Sequence, residues 1–267
     1  LPYERPPLSK EILQAKPDYT FPYIRPREYF DEQKIELRLG VAATAIAPTE
    51  KTVTLANGET LSYDKLLLTT GGRVRTLPLP GSDLDHVHYL RTLDEGHAIE
   101  AALGEGKNLV VIGGGFIGLE VAASARQRGG SVTVLEIADR LMGRGVPHLI
   151  SQYFLDLHRG NGVDIRLGTG VERIDGDGAV SGVTTSMGEH LDADMVVIGV
   201  GIIPETVLAE DAGLKVENGI VVDEFCRTSA TDIYAAGDVT SHFSHFAGRH
   251  IRLEAWQCAQ NMAIAAA

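Results

Sequence analysis

Three glycines, Gly113, Gly115 and Gly118, form a GxGxxG pattern between an apolar run and a segment rich in helix-forming residues. In a turn of this kind the first glycine permits a tight bend, the second lets the backbone approach a diphosphate, and the third lets the helix pack closely on the strand. The backbone N–H groups and the dipole at the start of that helix favour an anion. The spacing therefore predicts a dinucleotide-binding turn.

A carboxylate at Glu136 follows the next apolar segment, residues 131–135. An acid in this position, about 20 residues past the glycines, accepts hydrogen bonds from ribose hydroxyl groups. It would also repel a 2′-phosphate, so we expect a preference for NAD(H) over NADP(H). The alternative is an ordinary glycine-rich turn, but the strand, helix, second strand and acid together favour the nucleotide site.

Composition limits the classes of partner. The chain has 267 residues, of which 36 are acidic and 24 are lysine or arginine, so its net charge of −12 argues against nucleic acid and anionic membranes as partners. Cys226 and Cys258 form no closely spaced pair, which fits a reducing cytoplasm and provides no disulfide framework or CxxC motif. We expect a cytoplasmic protein without a membrane partner, present as a monomer or weak dimer.

Strands and helices alternate around these residues. The near-continuous apolar run 194–203 is typical of a strand covered on both faces. Residues 93–103 and 147–159 have the periodicity of amphipathic helices. His242, His245 and His250 are expected on a loop, because no cysteine or carboxylate completes a metal-ligand set around them. Further strands are expected at residues 35–39, 52–55, 61–70, 163–167, 180–185, 190–195 and 232–238, and a helical segment at 261–267.

Several segments, taken in chain order, resemble the NADH-dependent, FAD-containing ferredoxin reductases of oxygenase systems, of which putidaredoxin reductase is a member. Beside the glycine-rich turn, the resembling segments are residues 5–10 (RPPLSK), 66–73, 89–93, 194–204, 227–238 and 251–254. The resemblance implies an α/β fold with two Rossmann-like nucleotide-binding domains of the three-layer ββα type. The FAD-binding domain, residues 1–87 and 205–267, is then discontinuous around an inserted NAD-binding domain, residues 88–204.

The resemblance also assigns site residues. Asp238 would accept hydrogen bonds from the FAD ribityl chain, and Trp256 would lie against the flavin, although a lone tryptophan is also a common core residue. Lys10 and Arg5 would lie near the flavin and its phosphates, with a solvated basic loop as the alternative. The full FAD set is Arg5, Lys10, Ala43, Arg91, Asp238 and Trp256. The NAD set is Gly113, Gly115, Phe116, Ile117, Gly118, Glu120, Glu136, Arg144 and Gly201, with Arg140 as an alternative to Arg144.

The implied activity is hydride transfer from NADH to FAD, followed by single-electron transfer to a small acidic [2Fe–2S] ferredoxin that feeds an oxygenase. Such reductases begin with a first glycine-rich turn for the FAD diphosphate and end with a C-terminal domain, and the sequence contains neither. Alternatives are therefore an NAD(H)-binding module without turnover, an NADH–rubredoxin or dye reductase, and a flavin-linked NADH oxidase. A candidate docking patch for the ferredoxin consists of Arg73, Arg75, Arg249 and Arg252.

Overall fold

A computed structural model describes residues 1–16, 19–20 and 23–267. The chain forms two compact units, each built from two stretches of sequence. The first comprises Leu1–Tyr29 and Val74–Gly201, and the second comprises Phe30–Arg73 and Ile202–Ala267. The N-terminal stretch therefore packs with residues that the sequence assigned to the NAD-binding domain. Which nucleotide each unit binds stays a prediction.

The strands, in chain order, are β1 (Ala43–Ala47), β2 (Thr52–Leu55), β3 (Thr60–Ser62), β4 (Leu66–Leu68), β5 (Gly72–Val74), β6 (Val87–His88), β7 (Asn108–Ile112), β8 (Ser131–Glu136), β9 (Asp164–Leu167), β10 (Val171–Asp177), β11 (Ala179–Thr185), β12 (His190–Asp192), β13 (Met195–Ile198), β14 (Ile202–Pro204), β15 (Ile220–Val222), β16 (Ile233–Ala235), β17 (Thr240–Ser244) and β18 (Arg249–Ile251). The helices are α1 (Arg27–Glu32), α2 (Leu93–Ala102), α3 (Phe116–Gln127), α4 (His148–Gly160), α5 (Val207–Asp211) and α6 (Trp256–Ala266), with a 3₁₀ helix at Pro6–Ser9.

The first unit is built on a parallel sheet with strand order β6-β13-β7-β8-β9. Successive side chains of a strand point to opposite faces, and both faces are covered here. Leu109 and Val111 of β7 pack into the helical layer, whereas Val110 and Ile112 pack against the antiparallel sheet of β10, β11 and β12. This arrangement is the three-layer ββα architecture, and the predicted α/β class is confirmed.

The N-terminal segment joins the helical layer because its apolar side chains are buried there. Leu8, Ile12 and Leu13 belong to the same core as residues of α2, α3 and α4. Two hydrogen bonds fix its backbone. The Ser124 hydroxyl donates to the Ser9 carbonyl at 3.2 Å, and Arg128 Nη1 donates to the Leu13 carbonyl at 3.3 Å.

The second unit contains several small sheets around one core. Strands β1, β2 and β3 form an antiparallel sheet, β4 pairs in parallel with β16, and β17 pairs with β15 and β18. Strand β5 pairs with β14. Buried side chains of β4, β15 and β16 form the core together with Ala209 of α5 and Leu214. None of the helices in the described ranges is long and apolar enough to cross a membrane.

Several strand and loop predictions are corrected. Residues 35–39 form no strand, since alternation does not supply a partner strand, and Ile35 and Leu39 are exposed. The predicted strand 61–70 is divided into β3 and β4. The predicted strand 194–203 is interrupted after β13, where Gly201 has φ +102°. His242 and His250 lie on the paired strands β17 and β18, so they are not loop residues.

Candidate functional site

The glycine-rich turn connects β7 to α3. The surroundings of Gly113, Gly115 and Gly118 differ in how much room they leave for a side chain. Gly113 has φ +110°, and a Cβ there would lie 2.5 Å from the Gly199 carbonyl oxygen. A Cβ at Gly118 would overlap the Gly113 carbonyl oxygen, so this glycine lets α3 lie close to the strand. A Cβ at Gly115 would have only the Gly199 oxygen near it, at 3.9 Å. Of these three glycines, Gly115 is therefore the one that leaves space for a ligand above its backbone.

The start of α3 is open to an anion. Its N-cap residue is Gly115, which has no side chain to cap the helix, and its first turn contains no acidic residue. The first backbone N–H groups of a helix have no partner within the helix, and the helix dipole makes this end electropositive. Phe116 and Ile117 are 55% and 43% exposed in the same turn. Apolar walls around a few convergent polar groups are what a nucleotide site requires.

Glu136, the last residue of β8, is fixed against the turn. One carboxylate oxygen accepts a hydrogen bond from the Gly114 N–H at 2.7 Å, and the other accepts from the Ala138 N–H at 2.8 Å. A carboxylate has about four acceptor positions, so both oxygens can accept further hydrogen bonds. This arrangement is suited to ribose hydroxyl groups beside the diphosphate.

Arg144 lies next to Gly201, because its Nη2 would be 3.2 Å from a Cβ at that glycine. The two residues thus meet just beyond the carboxyl end of β13, where open α/β sheets bind ligands. Arg140, the alternative to Arg144, donates to the carbonyls of Gly143 and Val146 within its own loop. The contact of Arg144 with a nucleotide stays a prediction.

Lys10, directly after the 3₁₀ helix, forms an ion pair with Glu120 of α3. Lys10 Nζ lies 2.8 Å from Glu120 Oε2, and it also donates to the Pro6 carbonyl at 3.2 Å. The sequence assigned Lys10 to the flavin and Glu120 to the NAD groove, and the structure brings them together. The Ser9 hydroxyl donates to the same Glu120 oxygen at 2.5 Å. Sequence reasoning missed Ser9, although it directly precedes Lys10 in the RPPLSK segment.

Two further predicted FAD residues lie in the first unit. Arg5 is exposed, and its carbonyl accepts the first hydrogen bond of the 3₁₀ helix, from Leu8 N at 2.9 Å. Arg91 is half-buried, and its backbone N–H donates to Glu95 at 2.8 Å. Thr92 and Glu95 form a capping box that starts α2 directly after Arg91. The contact of either arginine with FAD stays a prediction.

The other predicted FAD residues lie in the second unit. Ala43 begins β1 and lines an apolar cavity of about 270 Å³, together with β4 residues. Asp238 follows Gly237, whose φ of +83° turns the chain after β16. Trp256 begins α6 and is 50% exposed, so it is not a core residue. The contact of Ala43, Asp238 and Trp256 with FAD stays a prediction.

Both cysteines of the second unit are poorly suited to redox chemistry. Burial raises the pKa of the Cys226 and Cys258 thiols, and the carboxylates of Asp223 and Asp238, respectively, add to this effect. Because the thiolate is the reactive form, a raised pKa lowers the reactivity of both thiols.

Two of the four arginines in the predicted docking patch are paired with carboxylates. Arg252 is only 13% exposed in its side chain and pairs with Glu254 at 2.7 Å. Arg73 pairs with Glu205 at 3.2 Å, which offsets its charge. Arg249 is exposed on β18, and its docking role stays a prediction.

Known proteins are similar to this chain along almost all of its length. The sequence matches the family described as pyridine nucleotide-disulphide oxidoreductase over residues 1–263. It is 44% identical over 264 residues to rhodocoxin reductase of Rhodococcus erythropolis, covering 98% of this chain and 62% of that protein. It is 45% identical over 271 residues to the ferredoxin–NAD(+) reductase component of the anthranilate 1,2-dioxygenase system of Burkholderia cepacia, covering 100% of this chain and 66% of that protein. The chain thus spans less than two thirds of the length of each relative.

A solved structure is also similar. The covalent complex of putidaredoxin reductase with putidaredoxin contains a chain that superposes with a TM-score of 0.96 at 39% identity. The superposition covers 100% of this chain and 65% of that chain.

Proposed function

Because the chain belongs to the pyridine nucleotide-disulphide oxidoreductase family, we propose that it is the nucleotide-binding part of a flavoprotein oxidoreductase. This enzyme would transfer a hydride from NADH to FAD and then single electrons to a small acidic [2Fe–2S] ferredoxin that feeds an oxygenase. The names of the anthranilate 1,2-dioxygenase component and of the putidaredoxin reductase complex support the ferredoxin as partner. We place the reaction in the cytoplasm, since both cysteines are free, as suits a reducing compartment.

The observation that carries the proposal is the ion pair between Lys10 and Glu120 on the helix that begins at the dinucleotide turn. One member of this pair matches a flavin-side position of the ferredoxin reductases and the other a position in their NAD groove. Their contact favours a single redox site served by both cofactors rather than two independent nucleotide sites.

The residues of the first unit would bind and orient NADH. The N–H groups at the start of α3 would hold the diphosphate, and Glu136 would accept hydrogen bonds from ribose hydroxyls. Phe116 and Ile117 would supply apolar contact, and Arg144 would neutralise phosphate charge. In the first unit, Lys10, Arg5 and Arg91 are the residues that match flavin-side positions of the ferredoxin reductases. In the second unit, Asp238 and Trp256 would contact FAD, with Ala43 at its edge. When bound, FAD supplies the ability to accept a hydride and to release electrons one at a time.

The second candidate is an NAD(H)-binding module without turnover. It is favoured by the first unit, which contains the whole glycine-rich turn and its own cores on both faces of the parallel sheet. In that case NADH would bind, but no acceptor would be reduced. A preference for rubredoxin or a dye over ferredoxin is a third possibility within the same chemistry.

Steady-state oxidation of NADH by the FAD-loaded protein separates these candidates. The acceptors are a [2Fe–2S] ferredoxin, a rubredoxin and ferricyanide, each at the same concentration. The proposal expects ferredoxin reduction to exceed rubredoxin reduction, with ferricyanide also reduced. NADH binding, followed by fluorescence, without reduction of any acceptor would leave the binding module as the function.

A further inference from the structure

The hydroxyl of Ser9 is placed to control the Lys10–Glu120 pair. Ser9 is 1% exposed, and its Oγ donates to Glu120 Oε2, the same oxygen that Lys10 Nζ approaches at 2.8 Å. This carboxylate oxygen therefore has a buried neutral donor on one side and a charged donor on the other. Ser9 and Glu120 are 111 residues apart in sequence, so the contact exists only in the folded chain.

The Lys10–Glu120 pair is partly open to water, so the Ser9 hydroxyl adds to its stability. The side chains of Lys10 and Glu120 are 42% and 30% exposed. An ion pair with this exposure is weak, because water screens it and a long lysine side chain loses conformational entropy when it is held in place. A hydrogen bond from a fixed hydroxyl to a carboxylate is stronger and does not require a mobile side chain to be ordered.

Ser9 is itself held rigidly. It ends the 3₁₀ helix Pro6–Ser9, which begins with two prolines of fixed φ, and the neighbouring Leu8 is buried in the core. Its carbonyl accepts a hydrogen bond at 3.2 Å from the hydroxyl of Ser124, which lies four residues after Glu120 on α3. Two hydrogen bonds thus connect Ser9 to successive turns of the same helix.

We propose that Ser9 is a positioning residue that orients the Glu120 carboxylate and, through it, the Lys10 ammonium group. This inference rests on the proposed function, because the ion pair that Ser9 orients is the proposed link between the flavin and NAD sites. Ser9 would touch neither cofactor. Its contribution is to keep the ion pair in one geometry while NADH binds and leaves.

The first test needs no flavin. Lysine amines are labelled briefly with acetic anhydride, and Lys10 is compared with Lys107, a paired lysine elsewhere in the first unit. Loss of the Ser9 hydroxyl in Ser9→Ala is expected to increase Lys10 labelling severalfold relative to Lys107, because the ammonium group leaves its pair more often. Ser151→Ala, at another buried serine of this unit, is the matched control and should leave the ratio unchanged. An unchanged ratio in Ser9→Ala would overturn the proposal.

The second test uses the FAD-loaded protein. At saturating NADH, Ser9→Ala should lower the rate constant for bleaching of the flavin band about tenfold, as expected for one lost hydrogen bond to a charged group. The NADH concentration at half-maximal rate should change little, and Ser9→Thr should restore much of the rate. In a Glu120→Ala background, Ser9→Ala should have no further effect. If Ser9→Ala lowers the bleaching rate constant equally in the wild-type and Glu120→Ala proteins, Ser9 has a merely structural role, which would contradict the proposal.

The two tests also separate this inference from the proposed function. If NADH does not bleach the flavin in the wild-type protein, the proposed function fails, and the labelling ratio still decides whether Ser9 orients the pair.

Discussion

Alanine substitution at two glycines of the dinucleotide turn should separate folding from binding. The Gly118 Cβ would overlap the Gly113 carbonyl oxygen and contact Val111, so α3 or the turn must move. Overpacking of this kind costs about 1–3 kcal/mol, and a backbone obstacle places it near the upper end. Alanine regains about 1 kcal/mol of helix propensity. The net loss for Gly118→Ala is therefore about 2 kcal/mol, which corresponds to a Tm lower by roughly 4–8 °C.

Gly115→Ala should leave the stability nearly unchanged and weaken NADH binding. Its Cβ would have only the Gly199 oxygen near it, at 3.9 Å, and its φ of −82° suits alanine. The weaker N-cap and the lower entropy of the unfolded chain roughly cancel, so the free energy of unfolding should change by no more than about 0.5 kcal/mol. The methyl group would, however, occupy the space over which the diphosphate approaches. We expect at least a tenfold weaker affinity for NADH, or about 1.4 kcal/mol.

Thermal unfolding followed by circular dichroism and NADH binding followed by fluorescence measure both effects. Gly104→Ala is the matched control, because nothing lies within 4 Å of a Cβ there. A Gly115→Ala variant that binds NADH as tightly as the wild type would refute the assignment of the diphosphate site. A Gly118→Ala variant with an unchanged Tm would refute the packing argument.

Three further predictions concern specificity, pH dependence and docking. Glu136→Ala should raise the ratio of kcat/KM for NADPH to that for NADH, and an unchanged ratio would remove Glu136 from the ribose site. Burial lowers the pKa of His158 in the folded protein, so as the pH falls the imidazole is protonated in the unfolded chain before it is protonated in the folded one. The free energy of unfolding should therefore fall as the pH drops below about 7. Between pH 7 and pH 5.5 the free energy of unfolding, measured with urea, should fall less in His158→Phe than in the wild type, by on the order of tenths of a kcal/mol or more. Equal losses in the two proteins would contradict this cause. Arg249→Glu should weaken ferredoxin reduction severalfold while ferricyanide reduction persists, and equal losses of both rates would exclude a docking role.

The glycine-rich turn and its flanking elements were predictable because their determinants are local in sequence. Apolar strand residues, glycines at fixed spacing and the acid after the next strand all lie within residues 108–136, and β7, α3 and β8 form as expected. The helices at α2 and α4 were likewise evident from their periodicity. Backbone sterics at Gly113 and Gly118 then account for the spacing that the sequence displays.

Long-range pairings were not predictable from these patterns. The pair of Lys10 with Glu120, and the role of Ser9 in it, depend on the packing of Leu8, Ile12 and Leu13 in the core of the first unit. Nothing in the spacing of those apolar residues indicates which core they enter. The alternation at residues 35–39 failed for a related reason, since a period of two describes a strand only where a neighbouring strand is present to pair with it.

The anaerobic visible spectrum of the protein supplied with FAD, before and after addition of NADH, tests the central claim most directly. The proposed function predicts a bound-flavin band that NADH bleaches, with slower bleaching when the transferred hydrogen of NADH is replaced by deuterium. A free-flavin spectrum that NADH leaves unchanged, in a sample that still binds NADH, would contradict hydride transfer and leave an NAD(H)-binding protein.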